Sequence, residues 1–259
     1  MRREDEPEEF AIAEEYFREL RTWLKFRDSH DPWMIAPESR MALDDQLTRP
    51  HHVSHNTANA VSSAIDHLHT LNSIMIGASA SHPLATFSLI RGAIESAAQA
   101  AWIVSPEEQE QRIARSLSAS LKDAKDRAMA YAELGRQCPQ PGTQLPDFEN
   151  DKAKLQKIHD TSGSTGKSVL PTSTGILKEV RYLAPNTSAL SIWQLCSGFA
   201  HGRRWASDAV FTPTATTSLP GDAVSKVNRP TMKTLVWALT PAMDLIRYTI
   251  TRYSDLANP

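Results

Sequence analysis

The sequence is poor in cysteine, in net charge and in long hydrophobic runs. Its 259 residues include two cysteines, Cys138 and Cys196, and neither has a Cys-x-x-Cys or Cys/His metal-binding spacing. The 28 Lys and Arg residues nearly balance 30 Asp and Glu residues, so no overall positive field attracts nucleic acid or an anionic membrane. No apolar run approaches the roughly 18 residues that span a bilayer. These absences predict a cytoplasmic protein that does not contact a membrane.

Apolar residues recur at helical spacing along most of the chain. Phe10, Ala13, Phe17 and Leu20 are three or four residues apart, which predicts an amphipathic helix. The segment SHPLATFSLIRGAIESAAQAAWIV is apolar almost all round, which predicts a buried central helix. The main predicted helices cover residues 8–27, 61–75, 81–104, 106–135, 148–160, 186–206 and 230–252.

The pattern therefore predicts a single all-α domain, a bundle of about seven helices. Residues 1–50 would form an N-terminal helical extension, 53–135 and 175–252 the bundle core, and 136–174 a flexible connection. Residues 209–224 are rich in β-branched side chains and would form either a small β-hairpin or only a loop. The chain shows no internal repeat and no alternation of strands with helices.

One segment partly matches a phosphate-binding loop. Gly166, Lys167 and Ser168 reproduce the end of that motif, but Thr161 stands where its first glycine is required. The motif also follows a buried strand, whereas a charged helix is predicted before this segment. We therefore predict a solvated linker and no nucleotide cofactor.

Several histidines lie close together in the N-terminal third of the chain. They could supply enough ligands for a transition metal, but no HExxH or carboxylate-histidine spacing supports a site. Surface histidines are the simpler interpretation, and we predict no metal cofactor. The residues concerned are His51, His52, His55, His67 and His69.

Two charged residues interrupt the apolar central helix. Arg91 and Glu95 are four residues apart, so their side chains would lie one above the other on the same face. An unpaired buried charge costs several kcal/mol. The two residues must therefore either satisfy each other, fixing the register of the helices, or face a polar cavity.

A second polar insertion is the segment WQLCSGFAHGRRWASD, residues 193–208. If residues 186–206 form one helix, Gln194, Ser197, His201 and Arg204 share a face, because they are spaced by three, four and three. Gly202 could instead end the helix in the left-handed conformation, which would leave His201 in the last turn and remove Arg204 from this face.

Basic residues form a ridge on the helix after Pro106. Arg112 and Arg115 begin it, and three further Lys and Arg residues alternate with aspartates. Most mixed-charge faces of this kind are solvated. The alternative is a surface on which Arg112 and Arg115 contact RNA phosphates.

The segments RGAIESAAQAAWIVSP, RIARSL and LCSGFAHGRRWAS resemble uncharacterised actinobacterial and phage-borne helical proteins and, more distantly, the HEPN superfamily of α-helical bundles. HEPN proteins cleave RNA without a metal, using a histidine and an arginine about five to seven residues before it, often across a dimer interface. The resemblance implies a helical homodimer, RNA as partner and His201 as the histidine. Gln194, Leu195 and Cys196 occupy the arginine's expected positions, so the usual catalytic pair is absent.

The first functional hypothesis is a HEPN-like protein of stress or phage-defence type that binds or cleaves RNA. His201 would be the general acid or base, with Ser197 orienting its imidazole. Phosphate charge would be stabilised by Arg203, Arg204 or Arg91.

Two alternatives remain. In a non-catalytic dimeric interaction or sensor module, a buried polar network would fix helix register through Arg91, Glu95, Ser197 and His201. In a small-molecule hydrolase or transferase, Ser197 and His201 would carry the chemistry, although the sequence positions no third orienting carboxylate for them.

Overall fold

The computed structural model describes residues 6–29, 33–77, 82–134, 147–163, 171–211, 213–218, 224–228 and 230–259. This part of the chain is predominantly helical, which confirms the all-α class. Its α-helices are α1 (Pro7–Arg27), α2 (Arg40–Thr48), α3 (Val53–Asn72), α4 (Pro83–Val104), α5 (Gln109–Leu134), α6 (Phe148–Thr161), α7 (Ser173–Glu179), α8 (Ala189–Ala200), α9 (Arg204–Val210) and α10 (Met232–Ala257). These ten exceed the expected seven because short helices form and residues 186–206 are divided between α8 and α9.

Shorter regular elements complete the described chain. A π-helical turn, Ser73–Gly77, follows α3, and a 3₁₀ turn, Arg181–Leu183, follows α7. Strands β1 (Pro213–Ser218) and β2 (Val224–Asn228) pair antiparallel, with Ser218 opposite Val224. No described helix has the length and apolar character that crossing a membrane requires.

The helices with the clearest periodicity form nearly where the sequence predicts them. Helix α1 buries Ala13, Phe17, Leu20 and Trp23, which recur every three or four residues on one face. Helix α4 begins at Pro83, as expected for a proline whose missing N–H costs nothing in a first turn.

Contacts divide the chain into two compact units. Unit 1 comprises Met1–Pro32, Val61–Ala98 and Leu177–Tyr248, and unit 2 comprises Trp33–Ala60, Gln99–Ile176 and Thr249–Pro259. The divisions fall inside α3, α4, α7 and α10, so these helices contribute residues to both units. The first fifty residues are likewise shared between the two.

Unit 1 has an aromatic cluster at the centre of its core. The rings of Phe87 on α4 and Phe199 on α8 stack with centroids 4.3 Å apart, and Phe211 lies 5.1 Å from Phe199. Burying side chains of this size stabilises the fold by roughly 1.5–3 kcal/mol each. The cluster fixes α8 against α4, and this contact positions the polar residues of both helices.

Unit 2 is built around α5, which packs against α2 and α6. The segment predicted to be a flexible connection, 136–174, contains α6, whose Leu155 is buried. The Gly166–Ser168 motif and Cys138 lie outside the described residues.

Candidate functional site

Helix α8 ends at the histidine. His201 is its C-cap, and Gly202 follows with φ of +61°, a conformation that glycine adopts without strain. The N–H of Gly202 donates to the Phe199 carbonyl at 3.0 Å, and the N–H of Arg203 donates to the Gly198 carbonyl at 2.8 Å. These two bonds make a Schellman motif. The terminus proposed at Gly202 is confirmed, and a continuous helix over 186–206 is wrong.

The two charged residues of the central helix join a polar network with α8. Arg91 Nη2 lies 3.3 Å from Glu95 Oε2, and Arg91 Nε donates to Ser197 Oγ at 2.9 Å. Trp193 Nε1 donates to Glu95 Oε2 at 3.1 Å, and Ser197 Oγ donates to the Trp193 carbonyl at 2.9 Å. The four residues form a closed ring of three hydrogen bonds and one ion pair between α4 and α8.

The positive charge of Arg91 is balanced within this ring by the negative charge of Glu95. The Arg91 guanidinium lies 5.2 Å from the centroid of the Trp193 indole, which adds a cation–π contact to the ion pair. About a third of each charged side chain is exposed, at 32% for Arg91 and 34% for Glu95. The pair is therefore half-buried. Arg91 and Glu95 satisfy each other, as one alternative expected, and they are also partly open to solvent, as the other expected.

The neighbouring thiol, Cys196, is protonated at neutral pH. Cys196 is buried, and desolvation raises the pKa of its thiol to about 12, although the charge of Arg91 acts in the opposite direction. A nucleophilic or metal-binding cysteine needs a lowered pKa and access to solvent. Cys196 is therefore a core residue.

An open cleft of about 500 Å³ lies over the ring in unit 1. Arg91 and Ser197 line it, and so do His201 and Arg203 at and after the end of α8. Trp193 and Trp205 contribute aromatic surface to it. The cleft thus combines guanidinium groups, an imidazole and indole rings.

Trp205 owes its position to a glycine. A Cβ atom on Gly198 would lie 2.7 Å from Trp205 Cζ2 and 2.8 Å from the Cβ of Ala206. Glycine therefore allows α9 to approach α8 closely. Although one side of the indole packs on this glycine, Trp205 remains 54% exposed at the cleft.

His201 is exposed at the end of α8. Its imidazole makes no hydrogen bond or ion pair with a residue of the described ranges. Ser197 does not orient it, because the Ser197 hydroxyl donates to the Trp193 carbonyl and accepts from Arg91. The serine–histidine contact that a triad-type hydrolase needs is therefore missing here.

The arginines after the histidine differ from each other. Arg203 lines the cleft and forms no ion pair within the described chain. The Arg204 side chain is 86% exposed and pairs with Asp208 at 3.2 Å, outside the cleft. Arg204 therefore does not share a face with Gln194, Ser197 and His201, because the helix ends before it.

The structure contradicts a nucleic-acid contact at Arg112. Its side chain is buried in unit 2, where Nε and Nη2 donate to the two carboxylate oxygens of Asp44 at 2.6 and 3.0 Å. Nη1 donates to the carbonyls of Pro106 and Glu107. Satisfying a whole guanidinium in this way fixes the turn before α5. Arg112 is a structural residue.

Arg115 is also used inside unit 2. Its guanidinium packs 5.1 Å from the Trp102 ring centroid. Nη1 donates to the Trp102 carbonyl at 2.7 Å and to Ser105 Oγ at 2.9 Å. The first two arginines of the predicted ridge, Arg112 and Arg115, are therefore both engaged in contacts within unit 2.

The histidines of the N-terminal third of the chain do not form one cluster. The rings of His52 and His55 stack 4.7 Å apart, and His67 packs on Gly92. Desolvation lowers the pKa of His51, which favours its neutral form. Among the residues that the structure describes, no three His, Cys, Asp or Glu side chains are grouped to hold a metal ion.

Two important residues, Trp205 and Asp44, were not predicted from the sequence. Trp205 reaches the cleft only because Gly198 admits it, and nothing in the spacing of the two residues indicates this contact. Asp44 pairs with an arginine 68 positions away, so no local pattern could connect them.

In comparisons with known proteins, no family model, curated protein or solved structure matched this chain.

Proposed function

We propose that the cleft of unit 1 binds single-stranded RNA. One observation carries the proposal: the exposed Trp205 indole shares an open cleft with Arg91 and Arg203. Single-stranded nucleic acids are held by aromatic rings on which bases stack and by cations that contact the backbone.

The aromatic part of the site is suited to an unpaired base. The Trp205 ring is supported from behind by Gly198, so it would lose little freedom when a base stacks on its open face. Stacking of this kind contributes about 1–3 kcal/mol per base. It does not depend on base identity, which suits binding with little sequence preference.

The positive charge of the site comes from arginines in the cleft itself, because the protein as a whole has a net charge near zero. Arg203 makes no ion pair within the described chain, so its guanidinium is available to a phosphate. Arg91 is neutralised by Glu95, so it would contribute hydrogen bonds rather than net charge. We therefore expect Arg203 to make the larger contribution to binding.

RNA cleavage is a second candidate, favoured by the presence of His201 in the same cleft. Among the described residues that line the cleft it is the one imidazole, and it would be the general acid or base of a metal-independent reaction. The HEPN-like bundle, the homodimer and the stress or phage-defence role implied by the resemblance belong to this proposal. Size-exclusion chromatography with light scattering tests the dimer.

Fluorescence anisotropy with a labelled 12-nucleotide single-stranded RNA tests binding. Trp205→Ala and Arg203→Ala should each weaken binding about tenfold or more, as expected when stacking or a charged hydrogen bond is lost. The matched controls are Trp237→Ala, another exposed tryptophan, and Arg204→Ala, an exposed arginine outside the cleft. Both controls should bind nearly as the parent protein does.

The proposal fails if the parent protein does not bind the oligonucleotide, or if the cleft variants bind as well as the controls. Cleavage is measured with the same RNA in EDTA. Loss of cleavage in His201→Ala with retained binding would assign the reaction, whereas binding without cleavage by the parent protein leaves binding as the function. Tighter binding of single-stranded DNA would replace RNA as the ligand.

A further inference from the structure

A second, smaller pocket lies elsewhere in unit 1. It has a volume of about 300 Å³ and is formed by α1 and the end of α3. Glu14, Arg18 and Arg21 line it from α1, and Asn72 lines it from α3. Phe17 contributes an apolar wall and is itself buried. It shares no lining residue with the cleft of Trp205.

Two arginines that line the pocket have no side-chain partner among the described residues. Neither Arg18 nor Arg21 forms a side-chain hydrogen bond or ion pair with any residue in the described ranges. Other cations nearby are used differently, since Arg27 on the same helix pairs with Asp28 and Asp66. Two adjacent unpaired guanidiniums make an anion-binding surface.

The pocket also contains an unsatisfied acceptor. Asn72 Oδ1 is buried and accepts no hydrogen bond from the described chain. A buried polar atom without a partner is destabilising, so a ligand that donates a hydrogen bond to it removes that cost. The two arginines favour binding of an anion. The Asn72 oxygen favours a ligand that also carries a hydrogen-bond donor.

We propose that this pocket binds a small phosphate monoester that carries hydroxyl groups, of the sugar-phosphate class. The phosphate accepts hydrogen bonds from Arg18 and Arg21, whose combined charge matches its dianion. A ligand hydroxyl donates to Asn72 Oδ1, which rotation of the Asn72 side chain brings to the surface of the pocket. Glu14 adds a carboxylate to the lining, which disfavours a second phosphate group.

The size of the pocket agrees with this ligand class. Small-molecule sites in proteins begin at roughly 300 Å³. A pocket at this lower limit admits a monosaccharide phosphate but not a larger dinucleotide. The Phe17 wall supplies an apolar surface for the carbon skeleton.

Isothermal titration calorimetry with ribose 5-phosphate, ribose and inorganic phosphate tests the proposal. Ribose 5-phosphate should bind with the highest affinity, inorganic phosphate more weakly, and ribose not measurably. Arg18→Gln and Arg21→Gln should each raise the Kd of ribose 5-phosphate at least tenfold. Both side chains are exposed, so these variants should keep the melting temperature of the parent protein.

Asn72→Asp introduces a negative charge beside the phosphate and should also raise the Kd at least tenfold. Lys25→Ala, an exposed cation on α1 outside the pocket, is the matched control and should bind normally. Absence of heat with ribose 5-phosphate, or equal loss in Lys25→Ala and the arginine variants, overturns the proposal. Trp205→Ala should bind ribose 5-phosphate normally, which separates this site from the RNA cleft.

Discussion

Arg91 Nε donates to Ser197 Oγ over 2.9 Å, and this bond connects the central helix α4 to α8. The bond gives one arginine two roles, because the same guanidinium also lines the cleft. Its charge is largely offset by Glu95. Arg91 and Ser197 therefore line the cleft and also join α4 to α8. Substitutions at these two residues should affect both the stability of the protein and its binding of ligand.

A double-mutant cycle on Arg91 and Ser197 should reveal this connection. Ser197→Ala should lower the free energy of unfolding by about 0.5–1.5 kcal/mol, the usual net value of one hydrogen bond. Arg91→Ala should cost more, since it also removes the ion pair and the cation–π contact. Denaturant unfolding of both single variants and the double variant gives the coupling. Strict additivity would show that the bond contributes nothing.

Removal of Arg112 should destabilise the protein severely. Arg112→Ala leaves the Asp44 carboxylate buried without its cation, which costs about 3–5 kcal/mol. Arg112→Lys should recover only part of this, because an ammonium cannot reproduce the forked geometry. The control is Lys122→Ala, which breaks an exposed pair on the same helix. Similar urea midpoints for Arg112→Ala and Lys122→Ala would contradict a structural role.

Local patterns were sufficient for part of the fold. The periodicity of α1, the proline at the start of α4 and the glycine after α8 each act within one or two turns of helix. The sequence therefore predicted those elements and the break at Gly202. It also placed Arg91 and Glu95 on one face, because that relation is internal to one helix.

Partners distant in sequence could not be predicted. Arg112 looked like part of a surface ridge because its neighbours along α5 are charged, yet its partner Asp44 comes from α2. Ser197 was assigned to His201, four positions away, whereas its hydroxyl bonds to Arg91 on another helix. In both cases packing between helices, and not the spacing along one helix, decides which groups meet.

The Cys196 thiol should be nearly inert in the folded protein. In a Cys138→Ser background, it is the only thiol present, and burial raises its pKa to about 12. Reaction with Ellman's reagent at pH 8 should therefore be about a hundredfold or more slower in buffer than in denaturant. Equal rates in the two conditions would mean that Cys196 is accessible in the native state.

Asp244 should make the protein less stable as pH rises above about 4. Its Oδ1 accepts from Arg247 at 3.1 Å, but its Oδ2 is buried, and desolvation raises the pKa of the carboxyl above its ordinary 3.8. The stabilising, protonated form is complete below pH 3.8 and is lost as pH rises through the higher folded-state pKa. Asp244→Asn should therefore gain melting temperature relative to the parent between pH 3.5 and pH 7, by about 2–4 °C for each kcal/mol of destabilisation that it removes.

Asp28 provides a control with the opposite sign. Its hydrogen bond from Arg27 Nε at 2.7 Å lowers the pKa of this carboxyl, so its charged form is favoured in the folded state. Asp28→Asn should lose melting temperature relative to the parent as pH rises over the same range. If both variants change in the same direction with pH, the assignment with the opposite predicted sign is wrong.

Two glycines at the end of α8 should give different defects when each is replaced by alanine. In Gly202→Ala the new methyl group meets no atom within 4 Å, but a φ of +61° strains any L side chain and costs about 1–2 kcal/mol. In Gly198→Ala the methyl group would lie 2.7 Å from Trp205 and displace α9. Gly198→Ala should therefore shift tryptophan fluorescence and weaken RNA binding about tenfold, as loss of the stacking ring would.

Gly202→Ala should lower the unfolding midpoint while the remaining folded protein binds RNA normally. If the two variants lose RNA affinity equally at matched stability, the position of Trp205 does not determine binding.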